Sequence, residues 1–280
     1  MKCAWDELVR ILPHTIRNEV DDIGKYSMQE LRLRIGFPIE LVCSCSNHFL
    51  KKNATLEDIQ FITNAASMYS PWKAQSSVNG YITSAGGHRI GICGEAIMNN
   101  GVMAGICNVT SLCVRVARDF PGISNALQVD ESSVLIIGPP GSGKTTFLRD
   151  IIRNYSSHMR GSVSVVDERG EIFPSVNGRL CFPCGHNTDI MTNCTKAHGV
   201  EMLLRAMGPN YIAVDEITKA EDCYAILNAI GCGVTMIATA HAGSVSDLMN
   251  RDIYKSLISK GIFKRIITLN RDKIWVEERI

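Results

Sequence analysis

The residues best suited to chemistry lie in one short run, Gly138-Pro139-Pro140-Gly141-Ser142-Gly143-Lys144-Thr145-Thr146, which fits G-x-x-x-x-G-K-[ST] and follows the apolar stretch Val134–Ile137. Glycines let the backbone curl so that several N–H groups face one phosphate, and the helix that follows adds its positive N-terminal end. Lys144 can bridge β- and γ-phosphates, and Thr145 can ligand Mg²⁺. A linking turn needs neither the lysine nor the hydroxyl after it.

Three further runs end apolar segments in polar side chains. Tyr211-Ile212-Ala213-Val214 leads into Asp215-Glu216, an acid suited to the Mg²⁺ shell followed by one that can orient or deprotonate water. Ser164-Val165-Val166 leads into Asp167-Glu168-Arg169-Gly170-Glu171, and Met236-Ile237-Ala238-Thr239-Ala240 into His241. Ligands of open α/β sheets bind beyond the carboxyl ends of the strands, so four such ends can converge on one nucleotide. Cys181, Cys184, His186 and Cys194 are soft ligands within one loop, yet a single C-x-x-C lacks the partner pair of a usual zinc site. A loop with incidental thiols is the expectation there.

These motifs need a scaffold of buried strands and covering helices. Val134–Ile137, Val163–Val166, Tyr211–Val214, Val234–Thr239 and Arg265–Leu269 alternate with helical segments, which predicts a mostly parallel sheet with helices on both faces. Before it, Leu8, Ile11 and Leu12 predict one short helix, and Met28, Leu31 and Ile35 a second. Even spacing of Leu33, Ile35, Ile39, Leu41 and Cys43 predicts a strand pair turning at Gly36-Phe37-Pro38. Thr55 and Asp58 form a capping box ahead of Ile59, Ile62 and Ala66. Gly80–Arg118, with turns at Gly86-Gly87 and Asn99-Asn100-Gly101, predicts a small antiparallel sheet. The division expected is an N-terminal α+β domain over 1–120, a linker over 121–132 and an α/β domain over 133–280.

The 280 residues carry 29 basic and 28 acidic side chains, and residues 1–120 hold 12 and 11 of them, so neither part is a polycation. That balance argues against phosphate-backbone binding and a polybasic membrane anchor. No apolar run approaches the roughly 20 residues that span a bilayer. Asp6 and Glu7 stand where a signal peptide needs its apolar centre, so secretion is not expected. Eleven irregularly spaced cysteines are read as reduced.

In their order, Val165–Glu171 and Ile212–His241, with Arg205 and Pro209 upstream of the latter, resemble the aspartate, Walker B and histidine boxes of the type II and type IV secretion and traffic ATPases. Leu31–Gly36, Asn79–Thr83, Gly87–Gly91, Val166–Arg169 and Ala238–His241 resemble the stage III sporulation AA family in particular. The resemblance implies a RecA-like P-loop domain behind a smaller domain, a homohexamer, and Mg-ATP turnover that moves the domains. It implies that Glu168 and His241 couple the γ-phosphate to that movement, and that an N-terminal arginine, Arg115 before Arg89 or Arg118, closes over the phosphates. The role implied is the cytoplasmic motor of a channel between mother cell and forespore, held at the membrane by partner proteins. Asp215 and Thr218 depart from the Gly and Arg that secretion ATPases commonly carry around the Walker B glutamate. An ATP-gated scaffold with negligible turnover shares every motif, and a nucleic-acid motor would add a basic, aromatic groove.

Overall fold

The computed structural model describes residues 1–68, 80–158 and 161–279; Asn79 of the sheet motif lies outside them. The chain forms two compact units, Met1–Asp119 with Pro174–Cys181, and Phe120–Phe173 with Phe182–Ile280. Residues 121–132 fall in the second unit, where the N–H groups of Gly122 and Ser124 donate to the Asp150 carboxylate at 2.9 and 2.8 Å.

In the first unit, helices Trp5–Arg10 and His14–Ser27 lead into β1 (Met28–Arg34), β2 (Pro38–Cys43) and β3 (His48–Asn53). Helix Leu56–Ala66 follows, then β4 (Tyr81–Thr83), β5 (Arg89–Asn99) and β6 (Val102–Arg115). The sheet runs β3-β2-β1-β6-β5-β4, antiparallel throughout. Thr55 caps its helix by accepting from Asp58 N while Asp58 accepts from Thr55 N, and Ile59, Ile62 and Ala66 are buried, as the capping box predicts. The β5–β6 hairpin turns at Asn100-Gly101, both at positive φ (49° and 78°), as a tight turn matched to strand twist requires.

The helix expected from Met28, Leu31 and Ile35 is not there. Met28–Arg34 is a strand whose register shifts between Met28 and Glu30, so Met28 and Leu31, three apart, are both fully buried. A bulge thus imitates helical spacing. Ile35 is 37% exposed beyond the strand's end, and the second helix is His14–Ser27, burying Ile16 and Val20.

In the second unit, β7 (Val134–Ile137), β8 (Val163–Asp167), β11 (Thr188–Thr192), β12 (Tyr211–Val214), β13 (Thr235–Ala240), β14 (Arg265–Leu269) and β15 (Trp275–Arg279) form one sheet. The two-residue strands β9 (Ser175–Val176) and β10 (Arg179–Leu180) pair with each other in the first unit. The order is β11-β8-β12-β13-β7-β14-β15, parallel except for β15. Every residue of β7, β8 and β12 is buried, which needs helices on both faces. Leu135, Ile137, Ile212, Val214, Met236 and Ala238 share a core with residues of helices Lys196–Ala206, Ala220–Gly231 and Asp252–Ser259. Helix Lys144–His158 lies against the other alternates, with Tyr155 edge-on to Tyr211 at 5.2 Å. The fold is α/β, an antiparallel-sheet unit followed by a parallel-rich one.

Candidate nucleotide-binding site

The loop Gly138–Gly143 joins the end of β7 to helix Lys144–His158. Gly141 and Gly143 have φ of 77° and 93°, where a side chain is strained. A Cβ at Gly138 would lie 2.5 Å from the Leu269 carbonyl oxygen, so the loop passes close to the end of β14. At its centre, Lys144 Nζ donates to the carbonyls of Gly138 (2.9 Å) and Pro139 (3.0 Å) and to His241 Nδ1 (3.0 Å). Among the described residues it makes no salt bridge. Burial pushes its pKa down, and the charges of Glu216 and Asp215 pull it up. A shielded ammonium that touches only neutral acceptors suits an anion.

The strand ends supply the rest of a connected network. Thr145 Oγ1 donates to Asp215 Oδ2 at 3.1 Å, setting a hydroxyl beside a carboxylate, hard oxygen donors that suit Mg²⁺. Thr239 Oγ1 donates to Asp215 Oδ1 at 2.7 Å and accepts from Glu216 N at 2.8 Å. Glu216 has φ 34°, strained for a residue with a side chain, and its N–H also reaches Asp215 Oδ1 at 3.0 Å. Its Oε1 lies 2.6 Å from His241 Nε2. An ammonium can only donate, so His241 Nδ1 accepts from Lys144 and Nε2–H donates to Glu216; the neighbours fix the tautomer.

A second cleft opens beside this network, lined by Asp167 to Arg169, Glu171, Lys196, Asp215, Glu216 and Thr218. Asp167 accepts N–H groups of Glu171, Ile172 and Phe173 at 2.8 to 3.0 Å, shaping the turn after β8. Burial nevertheless raises its pKa to about 6, the Asp215 charge adding to the shift while the backbone donors oppose it. Glu168 pairs with Lys196.

Lys144, Thr145, Asp215, Glu216 and His241 therefore meet directly, with Glu168 in the adjoining cleft. The arginines belong to the first unit. Arg115 lies 3.3 Å from Glu30, Arg89 covers the Tyr81 ring at 3.8 Å, and Arg118 donates to the Lys25 and Met28 carbonyls. Among the described residues no group of three or more His, Cys, Asp or Glu side chains is arranged to hold a metal, which includes Cys181, Cys184, His186 and Cys194. All eleven cysteines are free. Thr239 and Lys196 were not singled out from sequence. The signal for Thr239 is a hydroxyl inside the otherwise apolar run Met236–Ala240; Lys196 has no comparable local signal.

Residues 4–277 match the family model described as sporulation stage III, protein AA. Stage III sporulation protein AA of Bacillus subtilis (strain 168) is 36% identical over 281 residues, covering 96% of this chain and 92% of that protein. Among solved structures, the Legionella pneumophila ATPase DotB superposes with a TM-score of 0.59 at 17% identity, over 97% of this chain and 79% of that one. The pilus retraction motor PilT with bound ADP gives 0.62 at 16% identity, over 90% and 76%. At that identity the two superpositions speak to fold alone, which this chain shares with DotB and PilT. Among the described residues no helix is long and apolar enough to cross a membrane. By its family match and its Bacillus subtilis relative, the chain belongs to the sporulation stage III protein AA family.

Proposed function

We propose that the second unit is a RecA-like P-loop ATPase domain that hydrolyses the β–γ bond of Mg-ATP and serves as the motor of a secretion-type channel. The observation that carries this reading is the continuous network from Lys144 through His241 to Glu216, and from Thr145 through Asp215 and Thr239 back to Glu216. Lys144 and the backbone N–H groups of Gly138–Thr146 bind the phosphates. Thr145 and Asp215 would hold Mg²⁺, which when bound neutralises phosphate charge. Glu216, its carboxylate fixed by His241, orients the water that attacks the γ-phosphorus; the bond to the bridging oxygen breaks, and ADP and phosphate leave. Glu168 and His241 relay the state of the γ-phosphate, and Arg115 closes over the phosphates from the first unit.

Kinship with stage III sporulation protein AA and the fold of DotB and PilT support the wider role. In it the chain acts as a homohexamer in the cytoplasm, attached through membrane proteins to a channel between mother cell and forespore. Light scattering with and without a nonhydrolysable ATP analogue and Mg²⁺ tests the assembly. The expected result is a nucleotide-dependent rise to about six times the 30.8 kDa chain mass. A monomer in both conditions, with candidate membrane partners present, contradicts it.

A further inference from the structure

Lys196 is the first residue of helix Lys196–Ala206, where the helix dipole disfavours a cation, and its side chain is only 9% exposed. Burial and placement both work against an ammonium there, so its partners must compensate. They come from the loop after β8 and from the first turn of helix Ala220–Gly231. On one side Lys196 Nζ pairs closely with Glu168, just past β8. On the other it lies 4.0 Å from Asp222 Oδ2, the same oxygen that accepts the N–H groups of Thr218 (3.0 Å) and Lys219 (3.1 Å). Thr218 is two residues beyond Glu216, so Asp222 anchors the loop that leaves Glu216 at its strained φ.

We propose that Lys196 is a positioning residue for hydrolysis: it ties Glu168 to the Glu216 loop and sets the two acids on opposite sides of the cleft. This deepens the ATPase reading and rests on it. Asp167, Glu168, Glu171, Asp215 and Glu216 line the cleft with Lys196 and Arg169. Without the ammonium, Glu168 is left partly buried and unpaired beside the Asp215–Glu216 pair, and repulsion turns it away from its working position. Lys144, on the far side of His241, still binds phosphate, so the loss falls on turnover and spares affinity.

The test is steady-state phosphate release by wild type, Lys196→Met, Glu168→Gln and the double variant. Methionine keeps the stem of the side chain and removes the charge. Lys196→Met is expected to lower kcat at least about tenfold while KM for ATP stays within about threefold, since the placement of Glu168 for the reacting state is lost while the phosphate-binding groups stay in place. Because Lys196 acts through Glu168, the double variant should be no slower than Glu168→Gln alone. Unchanged kcat in Lys196→Met, or losses that multiply in the double variant, overturns the proposal. If Lys196→Met does not fold, judged by its thermal melt, Lys196→Gln takes its place with the same criteria. If wild type itself releases no phosphate, the ATPase reading fails and the proposal, which rests on it, fails with it; turnover by wild type with unchanged kcat in Lys196→Met overturns the proposal alone.

Discussion

Replacing Thr239 by valine removes one hydroxyl and little volume, at a side chain that is fully buried. The hydroxyl makes two bonds, donating to Asp215 Oδ1 at 2.7 Å and accepting from Glu216 N at 2.8 Å. A hydrogen bond to a charged group contributes about 1.5–3 kcal/mol. The second bond is replaceable in part, because Glu216 N also reaches Asp215 Oδ1 at 3.0 Å and is not orphaned. The expected loss is therefore about 2–3 kcal/mol rather than the sum of two full bonds. At roughly 2–4 °C per kcal/mol for a domain of about 150–250 residues, the melting temperature of the second unit should fall by about 4–12 °C. Strain at Glu216 adds a functional consequence: with one restraint gone, its φ of 34° relaxes and the carboxylate moves off His241. Differential scanning calorimetry of Thr239→Val and Thr239→Ser checks both parts of the reasoning. Serine keeps the hydroxyl and should lose much less than valine. A valine variant melting within about 1 °C of wild type, or a serine variant as unstable as the valine one, refutes the reasoning.

Two further outcomes follow from packing and burial. Gly199→Ala adds helix propensity of about 1 kcal/mol, but its Cβ would lie 2.5 Å from Cγ1 of Val166, which is fully buried. Overpacking of about 1–3 kcal/mol decides the sign. Gly199→Ala should therefore melt lower than wild type, whereas Gly231→Ala, with nothing near its Cβ, should not; the reverse order contradicts the packing. Asp167 has its pKa raised by burial to about 6 from 3.8, so the folded state binds more protons in that window and this group's stabilisation is lost as pH rises through it. Between about pH 4.5 and 7 the change is about 2 kcal/mol. Urea midpoints should show Asp167→Asn closing its gap to wild type over that range, and parallel pH profiles would count against the assignment.

The parts of the fold read from sequence are those where burial leaves a local mark. Val134–Ile137 and Tyr211–Val214 are short apolar runs because both faces are covered, and the Thr55–Asp58 box names its helix start directly. Thr188–Thr192, half-buried at every position on the sheet edge, shows no alternation and was missed, as was the polar edge strand Trp275–Arg279. Met28–Arg34 misled because its bulge sets buried residues three apart. In the site, Lys144, Thr145, Asp215 and Glu216 were legible because phosphate chemistry demands those types at those spacings. Lys196 was not, since its pairing with Glu168 spans 28 positions and exists only once helix Lys196–Ala206 docks beside β8.

The central claim is hydrolysis at the phosphate loop. Its most direct test is phosphate release at saturating Mg-ATP by wild type, Lys144→Ala and Glu216→Gln, with nucleotide affinity measured alongside. The account predicts turnover by the assembled wild type, loss of both binding and turnover in Lys144→Ala, and binding without turnover in Glu216→Gln. Full turnover in either variant, or none in the assembled wild type, would contradict it.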